Sequence, residues 1–204
     1  MGGLLAETVR VVIGLCSYKG PDVHCFDQHY EFMHYLGRLQ ERSRWLSVAG
    51  TLPDGFPGLD RCSTDGSSEL VTGDPAFEFM TATITGHSLI GQARDLIIDR
   101  ALEASADYVF FFDDDMVFAR SAFLRLWRRK VPFVGALAFT GRTPITPVLY
   151  RFKRNWNFSQ QREDVDIEPI WRYERDSLVQ VDAIGTGVVL ISTDVFRRVP
   201  KPWF

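Results

Sequence analysis

Three cysteines, Cys16, Cys25 and Cys62, are all that the chain carries, and they form neither an even set nor a CxxC pair. A disulfide scaffold is thereby excluded, and the usage fits a reducing compartment. Zinc ligands could be drawn from His24, Cys25, His29 and Cys62, but their spacing matches no structural zinc pattern. No apolar run reaches the roughly 18 residues of a membrane span, and the first residues lack a charged segment followed by a long apolar stretch. We therefore expect no membrane span and a cytoplasmic protein. Charge of one sign is also missing, with 23 Lys and Arg against 26 Asp and Glu. Nothing global draws the chain to nucleic acid or an anionic membrane, so any site for a polyanion has to be local. There is no internal repeat.

The 204 residues are 46% hydrophobic and 24% charged, enough for one sizeable core, and a single domain over residues 1–204 is expected. Residues 9–15 (VRVVIGL) form a nearly continuous run rich in β-branched side chains, which predicts a parallel strand buried on both faces. A crossover helix is expected over 26–45, where Phe26, Tyr30, Met33, Tyr35, Leu36 and Leu39 roughly follow helical spacing. Residues 50–75 are rich in Gly, Pro, Asp and Ser and read as a long surface loop. A strand over 77–85, a helix capped by Ser88 and running to about 104, and a short apolar strand at 108–112 follow. An amphipathic segment at 121–130 and a buried strand at 133–139 continue the alternation of strand and helix. Beyond them lie short strand-like runs at 147–152, 170–173, 179–183 and 187–192 and a short helix at 194–198. The polar stretch 155–166 reads as a solvated loop, with acceptor contact as the other reading of its neighbouring aromatics and cations. The expected fold is α/β, with a Rossmann-like, mostly parallel central sheet flanked by helices.

The chemistry concentrates where residues 108–112 (YVFFF) run into Asp113, Asp114 and Asp115. In open α/β sheets, ligands bind at the carboxyl edge of the strands. Along an extended chain, Asp113 and Asp115 would face one ligand and Asp114 another direction. Two converging carboxylates repel unless a cation sits between them, and few protein oxygens with open positions suit Mg²⁺ or Mn²⁺ carrying substrate phosphates. The plainer reading is an acidic helix start, a role for which one Asp suffices.

This arrangement resembles the GT-A glycosyltransferases, especially the inverting family-two-like enzymes and their phage and bacterial relatives. Residues 110–116 (FFFDDDM) look like their Asp-x-Asp motif, which binds nucleotide ribose and metal. The resemblance continues, in order, through 87–94 (HSLIGQAR), 181–188 (VDAIGTGV) and 202–204 (PWF), and spans about residues 8–204 apart from 50–75. It implies a GT-A fold with a nucleotide-binding half at about 8–118 and an acceptor-facing half at about 119–204. It also implies a Mn²⁺ or Mg²⁺ cofactor held by Asp113 and Asp115, with Asp113 and Asp114 at the nucleotide. The reaction implied is transfer of a sugar from a nucleoside-diphosphate donor to a hydroxyl of a glycan, a protein, a small molecule or a modified nucleobase.

Arg94 supports that reading on physical grounds, because it shares a helix row with Ile90, Ile97 and Ala101, and a cation in an apolar row needs a reason. It is a phosphate ligand, a snorkelling arginine, or half of an ion pair with a helix neighbour such as Asp95 or Asp99. Gly185, Thr186 and Gly187 stand between two strand-like runs, as a hairpin turn or, by the resemblance, as a loop facing donor sugar and acceptor. Asp182, three residues earlier, is then the candidate catalytic carboxylate, or an ordinary strand-edge residue. Ser17 and Tyr18 fall in the loop that binds the nucleobase in the resembling enzymes. Those enzymes carry a later acidic pair as general base; this chain stops at Phe204, so the resemblance implies a truncated form or a site completed by another residue or chain.

Three rivals remain at this stage. A nucleotidyltransferase would share the sheet and the metal but carry a Gly-rich, cationic loop after the first strand, which residues 17–21 match poorly. A haloacid-dehalogenase-type phosphatase puts its Asp-x-Asp after the first strand, and here the strand is not the first. A catalytically impaired nucleotide-sugar-binding module would keep the pocket and lack the base.

Overall fold

A computed structural model describes residues 7–17, 23–49, 70, 74–85, 89–141, 143–157 and 159–204. The chain contributes strands β1 (Thr8–Ser17), β2 (Ala76–Thr85), β3 (Tyr108–Asp113), β4 (Phe133–Gly135), β5 (Leu149–Asn157), β6 (Arg162–Pro169), β7 (Ala183–Ile184) and β8 (Val188–Ser192). Its helices are α1 (Val23–Ala49), α2 (Ile90–Glu103), α3 (Ala122–Trp127) and α4 (Thr193–Arg198). Most of the expected loop at 50–75, and Ser88 as a helix cap, lie outside the described residues. The residue preceding α2 is Leu89, which offers no side-chain cap.

The central sheet has the order β2-β1-β3-β8-β4. β1 pairs in parallel with β2 and with β3, whereas β8 is antiparallel to both β3 and β4. Four of the five strands therefore run one way, and the expected mostly parallel α/β sheet is present. Its completion differs from the simple alternation expected, because β4 stands outside β8 rather than beside β3. A second, antiparallel sheet has the order β6-β5-β7.

β3 shows why these sequences make these layers. A strand presents alternate residues to opposite faces, so Phe110 and Phe112 pack with Phe32, Tyr35, Leu36 and Leu39 of α1 and Phe123 and Leu124 of α3. Val109 and Phe111 face the other way, onto Ala93, Ile97, Ile98 and Ala101 of α2 and Phe196 of α4. Helices on both faces require apolar residues at every position, hence the unbroken run. Gly14 permits the closeness of the second layer: a Cβ there would lie 2.7 Å from the Phe111 ring and 3.0 Å from Ile97. The outer strand β2 is covered by α1, whose Ser43 hydroxyl and Gln40 carbonyl accept the backbone N–H groups of Phe77 and Phe79 at 2.9 and 2.7 Å. Polar helix side chains thus satisfy a sheet edge that would otherwise be open.

The stretch 155–166, expected as a loop, is instead the greater part of a β-hairpin, with β5 and β6 paired from Tyr150 opposite Pro169 to Asn157 opposite Arg162. The run at 170–173 forms no strand, and the run at 179–183 does so only at its last residue, Ala183, which begins β7. Among the described residues no helix is long and apolar enough to cross a membrane.

Candidate functional site

The parallel strands end together. Ser17, the last residue of β1, lies opposite Thr85, the last of β2, and Cys16 lies opposite Asp113, the last of β3. Because β8 runs the other way, its start reaches the same edge. The Asp113 N–H donates to the Gly187 carbonyl at 2.9 Å, extending the ladder by one step beyond the β8 strand. Two segments 74 positions apart in sequence, the acidic triplet and the Gly185–Thr186–Gly187 loop, thus meet at the carboxyl edge of the sheet.

Asp113 is where extended geometry stops. The Met116 N–H donates to the Asp113 carbonyl at 3.2 Å, so Asp114 and Asp115 occupy a β-turn rather than a continuing strand. The alternation that would aim Asp113 and Asp115 alike therefore does not apply. Within the turn the Asp115 and Asp114 carboxylates both raise the Asp113 pKa, Asp115 the more. Asp113 and Asp114 are half-buried and Asp115 is exposed. Met116 then packs against the other segment, since a Cβ on Gly187 would meet its Sδ at 3.0 Å. A Cβ on Gly185 would meet Val148 at 2.6 Å. Both glycines lie at close packing within the protein, tighter at Gly185 than at Gly187; Thr186 between them is half-buried.

Arg94, in the second turn of α2, donates from Nη2 to Oδ1 of Asp113 at 2.5 Å. It is 7% exposed, and its Nε–H is buried without a hydrogen-bond partner. Its ion-pair partner is neither of the expected helix neighbours: Asp99 pairs with Lys201, and Asp95 accepts the Trp203 N–H at 3.3 Å. Those contacts seat the segment 199–204 along α2 and bring the Phe204 ring to 5.3 Å from the Arg94 guanidinium. Gly91 fits this approach, because a Cβ there would lie 3.0 Å from the Phe204 carbonyl oxygen. Ile97 and Ala101 of the Arg94 row are buried as expected, while Ile90 is exposed.

Burial raises the Asp113 pKa, against the charge and hydrogen bond of Arg94 that lower it, and the carboxylates of Asp115 and Asp114 add to the rise. The neighbouring Cys16 thiol is pushed up to about 11, first by burial and then by Asp113 and Asp114, with Arg94 opposing. Cys16 belongs to this edge although nothing in its sequence position announces it; the signal is the register that sets it opposite Asp113. His29 is a second residue that sequence reasoning missed here. Its ring lies 5.0 Å from that of Phe112, and its Nε2 is 3.4 Å from the Met116 carbonyl, so it backs the acidic turn from α1.

Asp182 is not drawn into this cluster by any hydrogen bond. Its carboxylate accepts the Phe152 N–H at 2.8 Å, and its own N–H donates to the Tyr150 carbonyl at 2.9 Å. It is exposed and serves as a strand-edge residue that continues the β5–β7 ladder. Tyr18 lies outside the described residues. Among the described residues, no group of three or more His, Cys, Asp or Glu side chains is placed so that it could hold a metal ion. The donors at hand are hard carboxylate oxygens on one turn, too few to cage an ion alone. Carboxylate oxygens are donors suited to Mg²⁺ or Mn²⁺ with a shell completed by water and phosphate, rather than to a structural zinc.

Fold and site together define a mixed α/β protein with an acidic turn, braced by a buried arginine, at the carboxyl edge of its main sheet. No family model matches the sequence, and no curated protein matches it either. Among solved structures, the chain is similar to that of A197 from STIV, with a TM-score of 0.48 and 11% identity over 96% of this chain and 71% of that one.

Proposed function

We propose that this protein is a metal-dependent glycosyltransferase of the GT-A type that moves a sugar from a nucleoside-diphosphate donor to an acceptor hydroxyl. The observation that carries the reading is the Asp113 N–H to Gly187 carbonyl pairing, which sets side by side two segments that the resemblance assigns to one donor site. The seating of Phe204 on Arg94 joins two further stretches of the resemblance, 87–94 and 202–204, beside the same edge. In this reading Asp115, exposed on the turn, would be the principal residue to hold the metal, and Asp113, one oxygen of which is taken by Arg94, would assist it. When bound, the metal neutralises charge on the departing diphosphate. Arg94 acts through Asp113, holding the turn in place, rather than as a free phosphate clamp. Asp114 and the 185–187 loop are the described residues that would meet the donor, and the resemblance adds Ser17 and Tyr18 to them.

A second reading, a module that binds the donor without transferring it, is favoured by one observation: the Asp182 carboxylate is engaged by the Phe152 backbone. Calorimetry with nucleoside diphosphates tests the shared part of both readings. Binding is expected to require Mn²⁺ or Mg²⁺, to be lost in Asp115→Ala and to be weakened less in Asp114→Asn. Equal affinity in the presence of a chelator would overturn both. Turnover of a panel of nucleotide sugars with Mn²⁺, followed by release of the diphosphate, separates transferase from binding module.

A further inference from the structure

The acidic turn is held at both ends, and from opposite faces of the main sheet. Its first residue, Asp113, is fixed by the Arg94 guanidinium of α2 and by its own N–H on the Gly187 carbonyl. Its last, Met116, has its N–H on the Asp113 carbonyl and its thioether against Gly187. The Met116 carbonyl faces α1, where His29 Nε2 lies 3.4 Å away in a long hydrogen bond. A carbonyl oxygen only accepts, so the proton of this contact sits on Nε2. Nδ1 is buried and has no hydrogen-bond partner among the described residues. The ring is otherwise set among aromatic side chains, 5.0 Å from Phe112 and 6.3 Å from Phe118. A phenylalanine would satisfy that packing, so an imidazole only 7% exposed needs a polar reason, and the Met116 carbonyl is the polar group it meets. The neighbours of His29 on α1 meet the residues that follow the turn: Phe32 packs edge-on to Phe118 at 5.1 Å, and Glu31 pairs with Arg120 at 3.5 Å.

We infer that His29 is a positioning residue for the acidic turn: by holding the Met116 carbonyl it keeps the segment that carries Asp114 and Asp115 in the shape that receives a metal-bound diphosphate. Arg94 does the same for Asp113 from the other side of the sheet. The inference rests on the donor reading for its ligand, whereas the hold on the turn rests on geometry alone. A core histidine without a part in the site is the competing account, and under it exchange of one ring for another would alter stability and leave the turn as it is.

Nuclear magnetic resonance and calorimetry of the full chain test it. In the wild type at mildly alkaline pH, the His29 ring is expected to carry its proton on Nε2. His29→Phe keeps the ring packing and removes the donor, so circular dichroism is expected to be unchanged while the Met116 amide exchanges roughly fivefold faster or more. Affinity is measured for the best bound of the uridine, guanosine, adenosine, cytidine and thymidine diphosphates with Mn²⁺. It is expected to fall by roughly five- to tenfold in His29→Phe, the worth of about one hydrogen bond, and to recover in part in His29→Gln, whose amide N–H reaches the place of Nε2. A wild-type ring protonated at Nδ1, unchanged Met116 exchange in His29→Phe, faster exchange with affinity intact, or a His29→Gln no tighter than His29→Phe overturns the inference. A wild type that binds none of these diphosphates while His29→Phe still loosens the turn overturns the donor reading and supports the hold of His29 on the turn.

Discussion

Arg94 of α2 and Asp113 at the end of β3 are joined by an Nη2 to Oδ1 hydrogen bond of 2.5 Å, with the arginine side chain 8% and the aspartate 25% exposed. The pair fixes the helix that lies under the site to the strand that ends in it. An aspartate so deeply placed has its pKa raised even with the guanidinium beside it.

Removing the guanidinium leaves a partly buried carboxylate without its counter-charge, so Arg94→Met is expected to lower unfolding free energy by roughly 2–4 kcal/mol at neutral pH. The sign follows from linkage. A carboxyl whose folded pKa is raised favours the folded state below its unfolded value, and that advantage is lost as pH rises through the folded value. The deficit of Arg94→Met should therefore shrink at acidic pH, and Arg94→Met combined with Asp113→Asn should lack most of it. Urea unfolding of the two variants at acid and neutral pH measures this, and an equal loss at both would assign the effect to packing.

The Cys16 thiol, 4% exposed and raised to about 11, should be chemically quiet. At mildly alkaline pH its thiolate fraction is lower than that of a free cysteine by roughly 10²-fold. Iodoacetamide labelling followed by peptide mass spectrometry should show Cys16 modified in urea and protected in the folded protein. The thiol favours the folded state below its unfolded pKa, and this contribution disappears as pH rises toward 11. Rapid native labelling at Cys16 would contradict the burial of this edge.

Two glycines offer a graded test of packing. Gly14→Ala drives a methyl to 2.7 Å from the Phe111 ring and 3.0 Å from Ile97, both fully buried. A cost of about 1–3 kcal/mol is expected, as for other overpacked cores. Gly187→Ala meets the Met116 thioether at 3.0 Å, and because methionine is unbranched and adaptable the cost should stay below about 1 kcal/mol. Denaturant midpoints of the two variants should fall in that order; the reverse order would place the rigid contact at the site and not in the core.

What could be read from the residues was whatever a short stretch determines by itself. The run at 108–112, too short for a helix and rich in aromatic residues, reads as a strand covered on both faces, with Asp113 emerging from it. The partner of Arg94 was not legible, because it depends on which strand end meets which helix turn and not on spacing along α2. The β6 strand was missed for a different reason. Its REDVDIEP is dominated by acids that disfavour strands, and only the alternation of Val165 and Ile167 with acidic residues betrayed it. Nor did the extended-chain argument for Asp113 and Asp115 foresee the turn closed by Met116, which is set by a backbone hydrogen bond and not by side-chain type.

The place of β8 has a consequence for how the molecule comes into being. Fourth in order across the sheet yet the last strand in the chain, it supplies the neighbour that both β3 and β4 lack until it arrives. A growing polypeptide therefore holds two unsatisfied strand edges throughout the synthesis of residues 136–187, and closure of the sheet waits for contacts between segments some 80 residues apart, the kind that slow folding and favour aggregation. Closure of the sheet is expected to be a nearly single event that follows the synthesis of β8, and the acidic turn, whose last ladder bond is made to Gly187, takes shape in that same event.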